Sequence, residues 1–268
     1  MKNILVPTDF SACARYAESA AIQLAKQQGA RVIFLHFIQS GSFPAHSPEW
    51  NQKRANKLIL LEDIVKRNPG VEITVDCLEG PLLKQLTHWI AGKEIDLIIM
   101  GSHGASGTND FFIGSNTQRV VRKIHCPVLV LKDPIEKLTF QKVVFAARFN
   151  ESEREPFLHF KKLVESFRPE IHLVAIHTAS LFEAPYVVTK SAMDEFQELC
   201  KPFHSEVHVF SDLNVGEGIQ LFAQSIEADL IGISSHESNP LKRMLVGSNV
   251  EALVNHSKLP VLTIDYES

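Results

Sequence analysis

At 268 residues the chain exceeds the usual single-domain size, so two domains of about 130 residues are expected. Hydrophobic residues at 45% and charged residues at 22% are ordinary for a soluble globular protein and leave ample material for a core. A net charge of −4 gives no electrostatic case for a nucleic-acid partner, and no apolar run approaches membrane-spanning length.

In chain order, Met1-Lys2-Asn3-Ile4-Leu5-Val6 breaks at Pro7-Thr8-Asp9. That apolar stretch is too short for a signal peptide, so a cytoplasmic location is expected. Residues 4–7 read as a strand, and a helical pattern opens at Ser11 with Ala12, Ala14, Ala17, Ala20 and Ala21 for close packing. Further strands are expected at 32–37, 73–77, 97–100 and 128–131, with helices at about 47–68, 81–92 and 115–124. Gly114-Ser115 marks the start of the last of these helices, and Arg122 and Lys123 complement its dipole near the end. The strands are rich in Val, Ile and Leu with little polar alternation, the pattern of parallel strands buried on both faces. Asp133-Pro134-Ile135-Glu136-Lys137 reads as a linker, its proline ending the preceding strand. Beyond it, strands are expected at 143–146, 172–177, 206–210, 230–233 and 261–264.

The two halves are copies. Asp96-Leu97-Ile98-Ile99-Met100-Gly101-Ser102-His103 returns 133 residues later as Asp229-Leu230-Ile231-Gly232-Ile233-Ser234-Ser235-His236. The same shift maps Gly114-Ser115-Asn116 onto Gly247-Ser248-Asn249 and Pro127-Val128-Leu129 onto Pro260-Val261-Leu262. Upstream, Val32-Ile33-Phe34-Leu35-His36 resembles Leu173-Val174-Ala175-Ile176-His177 at a slightly different shift, as loop insertions would produce. The reading is a duplicated α/β domain, 1–132 and 141–268, joined by 133–140. Alternation of strand and helix implies right-handed crossovers and a doubly wound parallel sheet in each copy.

In such sheets ligands bind beyond the carboxyl ends of the strands, where the strand order reverses. There the first copy carries Gly101-Ser102-His103-Gly104-Ala105-Ser106-Gly107. Glycines allow positive φ and close backbone approach, and successive N–H groups form an anion-binding concavity. Gly114-Ser115-Asn116-Thr117 follows and opens a helix whose free N–H groups and dipole favour phosphate, with the Ser115 and Thr117 hydroxyls adding hydrogen bonds. Two anion sites joined by one loop suit a di- or triphosphate. A lone glycine-rich loop would equally be a tight strand-to-helix connection.

The spacing Gly101-x2-Gly104-x9-Gly114-Ser115 resembles that of the ATP-binding members of the universal stress protein family. So do Ile4-Leu5-Val6-Pro7-Thr8-Asp9-Phe10-Ser11, Leu35-His36 and Ile124-His125-Cys126-Pro127-Val128-Leu129-Val130, and the likeness spans nearly the whole chain twice. The resemblance implies tandem Rossmann-like, adenine nucleotide alpha hydrolase-like domains packed as an internal pseudo-dimer through their last strands. It implies ATP as ligand, with ADP and AMP as alternatives and Mg²⁺ alongside. Pro7, Thr8 and Asp9 would border the adenosine, and Phe37 would take the adenine-wall position. Met100, Gly101, His103 and Gly104 would form the ribose–phosphate turn, and Gly114, Ser115, Asn116 and Thr117 would hold the outer phosphates. Phe37 is bulkier than the small aliphatic residue common there, and either stacks on adenine or crowds it. In the second copy Ser234 replaces Gly101, Glu237 replaces Gly104 and Arg148 replaces Asp9. A carboxylate near a phosphate position repels it, so that copy is expected not to hold ATP.

Other residues admit plainer roles. Asp9 and Ser11 both suit helix capping, with ligand contact the favoured role for Asp9. His36 and His177 are read as structural, while His103 and its counterpart His236 share loop and structural duties. Phe111 and Phe112 are read as packing. Cys13, Cys77, Cys126 and Cys200 lack CxxC spacing and read as reduced thiols, and the histidines and cysteines show no metal-ligand spacing. A nucleotide-binding regulatory module is the leading expectation. A slow ATPase or phosphoryl transferase is the enzymatic rival, although no Walker-type loop is present, and a scaffold without nucleotide is the third reading. A homodimer is left open.

Overall fold

A computed structural model describes residues 1–39, 47–102, 114–178, 186–234, 250 and 252–265. The chain divides into two compact units, Met1–Cys126 with Val130–Leu138 and Pro127–Leu129 with Thr139–Ser268.

The first unit runs β1 (Asn3–Thr8), α1 (Ala12–Gln28), β2 (Arg31–Ile38), α2 (Pro48–Arg67), β3 (Ile73–Glu79), α3 (Leu82–Ile90), β4 (Leu97–Gly101), α4 (Ser115–Lys123) and β5 (Val128–Leu131). Its strand order is β3-β2-β1-β4-β5, and β1 is parallel to both neighbours, pairing Thr8 with His36 and Leu5 with Ile98. The apolar runs became strands because both faces are covered: Ile4, Leu5 and Val6 are fully buried. Each such side chain contributes about 1.5–3 kcal/mol on burial. Alanines at 14, 17, 20, 21 and 25 form the buried stripe of α1, and their small volume lets the helix lie close to the sheet. Ser11 caps that helix through a hydrogen bond from the Ala14 N–H, and Gly29 ends it at φ 66°. The third helix is shorter than expected, since Pro81 stands at its N-cap and Gly92, at φ 73°, lies just past its end.

The second unit runs β6 (Lys142–Ala146), α5 (Arg154–Val164), β7 (Glu170–His177), α6 (Tyr186–Leu199), β8 (Ser205–Ser211), α7 (Val215–Ser225), β9 (Leu230–Ser234) and β10 (Val261–Ile264). Its order, β8-β7-β6-β9-β10, repeats that of the first unit. The duplication extends to polar detail. Asp96 Oδ2 accepts the N–H groups of Lys2 and Asn3 at 2.7 and 2.8 Å. Asp229 Oδ2 accepts those of Gln141 and Lys142 at 2.8 and 2.9 Å. In both units this aspartate fastens the start of the central strand to the turn before its neighbour.

The packing over the sheet differs between units. Phe145, Phe157 and Phe160 are fully buried in the second, with ring centroids about 5.1 Å apart from Phe145 to each partner. A Cβ on Gly232 would lie 2.3 Å from the Phe160 ring, so glycine makes room for phenylalanine here. At the repeat's shifts, the corresponding residues in the first unit are Ile99 and Ala21, both fully buried.

The expected linker is tied back onto the first unit. Gln23 Oε1 accepts the Leu138 N–H at 2.8 Å, and the Gln23 and Gln27 amides donate to the carbonyls of Ile135 and Leu138 at 3.2 and 3.1 Å.

Candidate functional site

Parallel pairing brings the carboxyl ends of β1, β2 and β4 to one edge, and the strand order reverses between β1 and β4. That placement gathers Pro7, Thr8, Phe37, Met100 and Gly101 at the carboxyl ends of neighbouring strands. Pro7, Thr8 and Met100 are buried, Phe37 is half-buried and Asp9 is exposed. His103 and Gly104 lie outside the described residues, as do Phe111, Phe112 and, in the second unit, His236, Glu237, Gly247 and Ser248.

The turn after β1 is held by its own side chains. Thr8 Oγ1 accepts the Phe10 N–H at 3.1 Å, and Asp9 Oδ1 accepts the Ser11 N–H at 3.0 Å. Phe10 takes φ 66°, the left-handed region, which turns its ring onto His36 with centroids 4.9 Å apart. The His36 Nδ1 lies 2.8 Å from the Thr8 carbonyl oxygen. A carbonyl can only accept, so Nδ1 carries the proton and the imidazole is locked in one tautomer. Burial pushes the His36 pKa below its ordinary value, and Lys57 and Lys53 push it further, against the pull of the Thr8 carbonyl and Asp9. The structural role expected for His36 is the one observed.

Gly101 closes β4 against the first turn of α1. A Cβ there would lie 2.5 Å from the Cys13 carbonyl carbon and oxygen, so only glycine fits. Its carbonyl accepts the Thr117 hydroxyl at 2.9 Å, and Thr117 is buried. That hydroxyl proton is therefore committed to joining α4 to β4. Ser102 N–H donates to Leu131 O at 2.8 Å, and Gly114 N–H donates to Ser102 O at 2.5 Å, which joins the end of β4 to the start of α4.

Immediately after this base, α4 begins with no side-chain cap at Gly114. The N–H groups of Ser115, Asn116 and Thr117 have no acceptor within the helix, as in the first turn of any α-helix. Ser115 and Asn116 are exposed, and the positive end of the helix dipole lies here, beside the carboxyl end of β4.

Lys57 was not singled out from the sequence. It comes from α2, with Nζ 5.0 Å from the Phe10 ring centroid, and with Lys53 it sets a positive potential around His36. On the sequence both lysines belong to an ordinary polar helix face. Only the packing of α2 beside β2 and β3 turns them toward the strand ends.

At the equivalent edge of the second unit lies a cavity of about 90 Å³, lined by Arg148, Glu153, Val174, Ile176, Ile219 and Ser234 among others. Glu153 is buried and accepts the N–H groups of Arg148 and Asn150 at 3.0 and 3.2 Å. Burial is the main cause raising its pKa, and these backbone donors oppose the rise. The Glu153 carboxylate thus holds the turn between β6 and the helical segment that follows it.

Three thiols are inert by burial, which pushes Cys77 and Cys200 up to about 11 and Cys126 to about 12. All four cysteines are free. Among the described residues no helix is long and apolar enough to cross a membrane.

The universal stress protein family model matches residues 1–132 and again 139–265. The chain belongs to the universal stress protein family. A universal stress protein of Methanocaldococcus jannaschii is 31% identical over 141 residues, which is 50% of this chain and 83% of that protein. A Staphylococcus aureus relative carrying the same family name is 29% identical over 161 residues, 56% of this chain and 95% of its own length. A crystal structure of a universal stress protein from Archaeoglobus fulgidus superposes with TM-score 0.77 at 20% identity, covering 99% of this chain and 98% of that one. One from Pseudomonas aeruginosa gives 0.70 at 17% identity, covering 98% and 93%. At these identities the two solved structures speak for the fold, and the fold is a tandem pair of Rossmann-like units.

Proposed function

We propose that the first repeat binds an adenine nucleotide, ATP with Mg²⁺, and that the protein acts in the cytoplasm as a nucleotide-dependent regulatory module of the stress response. The observation carrying this reading is the uncapped start of α4, with the amides of Ser115, Asn116 and Thr117 unsatisfied within the helix. It stands beside the β1–β4 reversal and follows the Gly101–Gly114 spacing. Lys57 adds positive charge on the same side. The adenosine lies against Pro7, Thr8, Asp9 and Phe37, and the polyphosphate spans Met100, Gly101, His103 and Gly104 to reach α4.

The second repeat, in this reading, is a built-in partner that has given up the nucleotide. Arg148 stands for Asp9, Ser234 for Gly101 and Glu237 for Gly104, and Glu153 is bound to the turn after β6. The first repeat works by binding rather than by turnover, and ligand-dependent ordering of its loop alters the surface it presents. That effect is bounded by the nucleotide's differential affinity for the two loop states.

Calorimetric titration with ATP, ADP and AMP, with and without Mg²⁺, tests the reading. Placing the second copy's residues in the first, Gly104→Glu or Asp9→Arg, is expected to weaken ATP at least about 100-fold while the circular dichroism is unchanged. Unaltered affinity in both variants removes the site from this crevice. A steady-state assay of ATP turnover separates the binder from the slow enzyme.

A further inference from the structure

The second unit carries a side-chain cluster remote from either crevice. On β7 and its neighbour β8, Glu170 and His172 share one face with His204, Glu206 and His208, because side chains two apart on a strand point the same way. Parallel register sets His172 opposite Glu206. His172 Nδ1 lies 3.1 Å from His208 Nε2 and 3.9 Å from Glu206 Oε2, and the last two atoms are 3.4 Å apart. A circle through these three atoms has a radius of about 2.0 Å. Zinc bonds to imidazole nitrogen and carboxylate oxygen are about 2.0–2.2 Å long. One ion can therefore reach all three donors with little movement.

A second observation is independent of that triangle. His172 is 4% exposed, and its Nε2 is buried without a hydrogen-bond partner. Glu170 Oε1 stands 3.6 Å from it, beyond hydrogen-bond range, and also 3.1 Å from His204 Nδ1. An imidazole that gives one nitrogen to a metal characteristically donates the other N–H to a carboxylate. Glu170 is placed for that role after a small shift, which would satisfy the orphaned nitrogen. Without a metal, His172 and His208 can share only one proton between their facing nitrogens, and the orphan remains. Phe222 backs His208 at 4.8 Å between centroids, while Glu206 is half-exposed and leaves a way in from solvent. Lys142 is the cation acting on His172 from β6, its ammonium held by the Ile226 carbonyl at 2.8 Å.

We propose that His172, His208 and Glu206 form a zinc site, with Glu170 orienting His172 and the fourth position open to solvent. Two imidazoles and a carboxylate favour Zn²⁺ over Mg²⁺ or Ca²⁺, which prefer all-oxygen donor sets. The ion would clip β8, the terminal strand in the unit's order, to β7. The sequence hid the site because its spacing, Glu-x-His and His-x-Glu-x-His, is divided between two strands that only the register joins.

Metal-free full-length protein titrated with Zn²⁺ against a chromophoric chelator is expected to take up one equivalent, and Mg²⁺ none. Co²⁺ in its place should show the intense visible absorption of a four-coordinate ion with nitrogen ligands. His208→Gln and the surface change Glu206→Gln should abolish stoichiometric uptake, and Glu170→Gln should weaken it by about 10–100-fold. Hydrogen exchange of the β8 amides should slow on adding Zn²⁺ to the parent and not to Glu206→Gln. Zinc uptake below one equivalent in the parent, or uptake unchanged in Glu206→Gln and His208→Gln, overturns the proposal. Glu206→Gln lies on an exposed face and keeps the test valid if the histidine variant fails to fold.

Discussion

Gly101 sits in a motif that resembles a ligand-binding loop, yet the contact that demands a glycine is with Cys13 of α1. Space and function coincide at one position, as they do at Thr117, whose hydroxyl ties α4 to the Gly101 carbonyl. Gly101→Ala would force α1 and β4 apart and is expected to cost about 1–3 kcal/mol. The measurement is a fall in the urea midpoint at constant m-value, and an unmoved midpoint would show that α1 yields freely. His36 follows the same logic: its carbonyl partner and the Phe10 ring account for its place. The helix cap is Ser11, and Asp9 keeps one carboxylate oxygen on the Ser11 N–H while remaining exposed, so this turn contact and ligand contact are compatible there.

Among the elements, α1 and α5 occupy equivalent places with opposite volumes. Alanine over isoleucine in the first unit becomes phenylalanine over glycine in the second, at Ala21 and Ile99 against Phe160 and Gly232. Core packing density leaves no room for two large residues or two small ones. Phe160→Ala is expected to cost about 3–5 kcal/mol. Adding Gly232→Ile should recover part of that loss, with a coupling of about 0.5–3 kcal/mol in a double-mutant cycle read by denaturant unfolding. Strict additivity would mean that the two positions do not share the space. The strand positions in both units and the helix positions in the first were legible because buried runs and capping residues are local signals. The compensating pair was not, since Phe160 and Gly232 are far apart in the chain and neither breaks a local rule.

The whole molecule is a duplication whose halves kept their scaffold and parted in their sites. Asp96 and Asp229 hold equivalent strand starts, while the second copy carries Arg148, Ser234 and Glu237 where the first has Asp9, Gly101 and Gly104. One nucleotide per chain is therefore expected. At a ligand concentration of 100 Kd it should stabilise the protein by about 2.7 kcal/mol. Equilibrium dialysis giving two equivalents of ATP per chain would refute the asymmetry.

From the sequence alone came the repeat, the strand–helix alternation, the α/β class and the residues proposed to hold a nucleotide. These were readable because periodicity, glycine spacing and self-similarity are properties of neighbours along the chain. The tertiary structure decided that Thr117 is tied to the Gly101 carbonyl, what Gly101 leaves room for and how Lys57 comes near the strand ends. It also decided that three histidines and two glutamates meet on one face of two strands. Each of these depends on sheet register and helix packing, which join residues that the chain itself keeps apart.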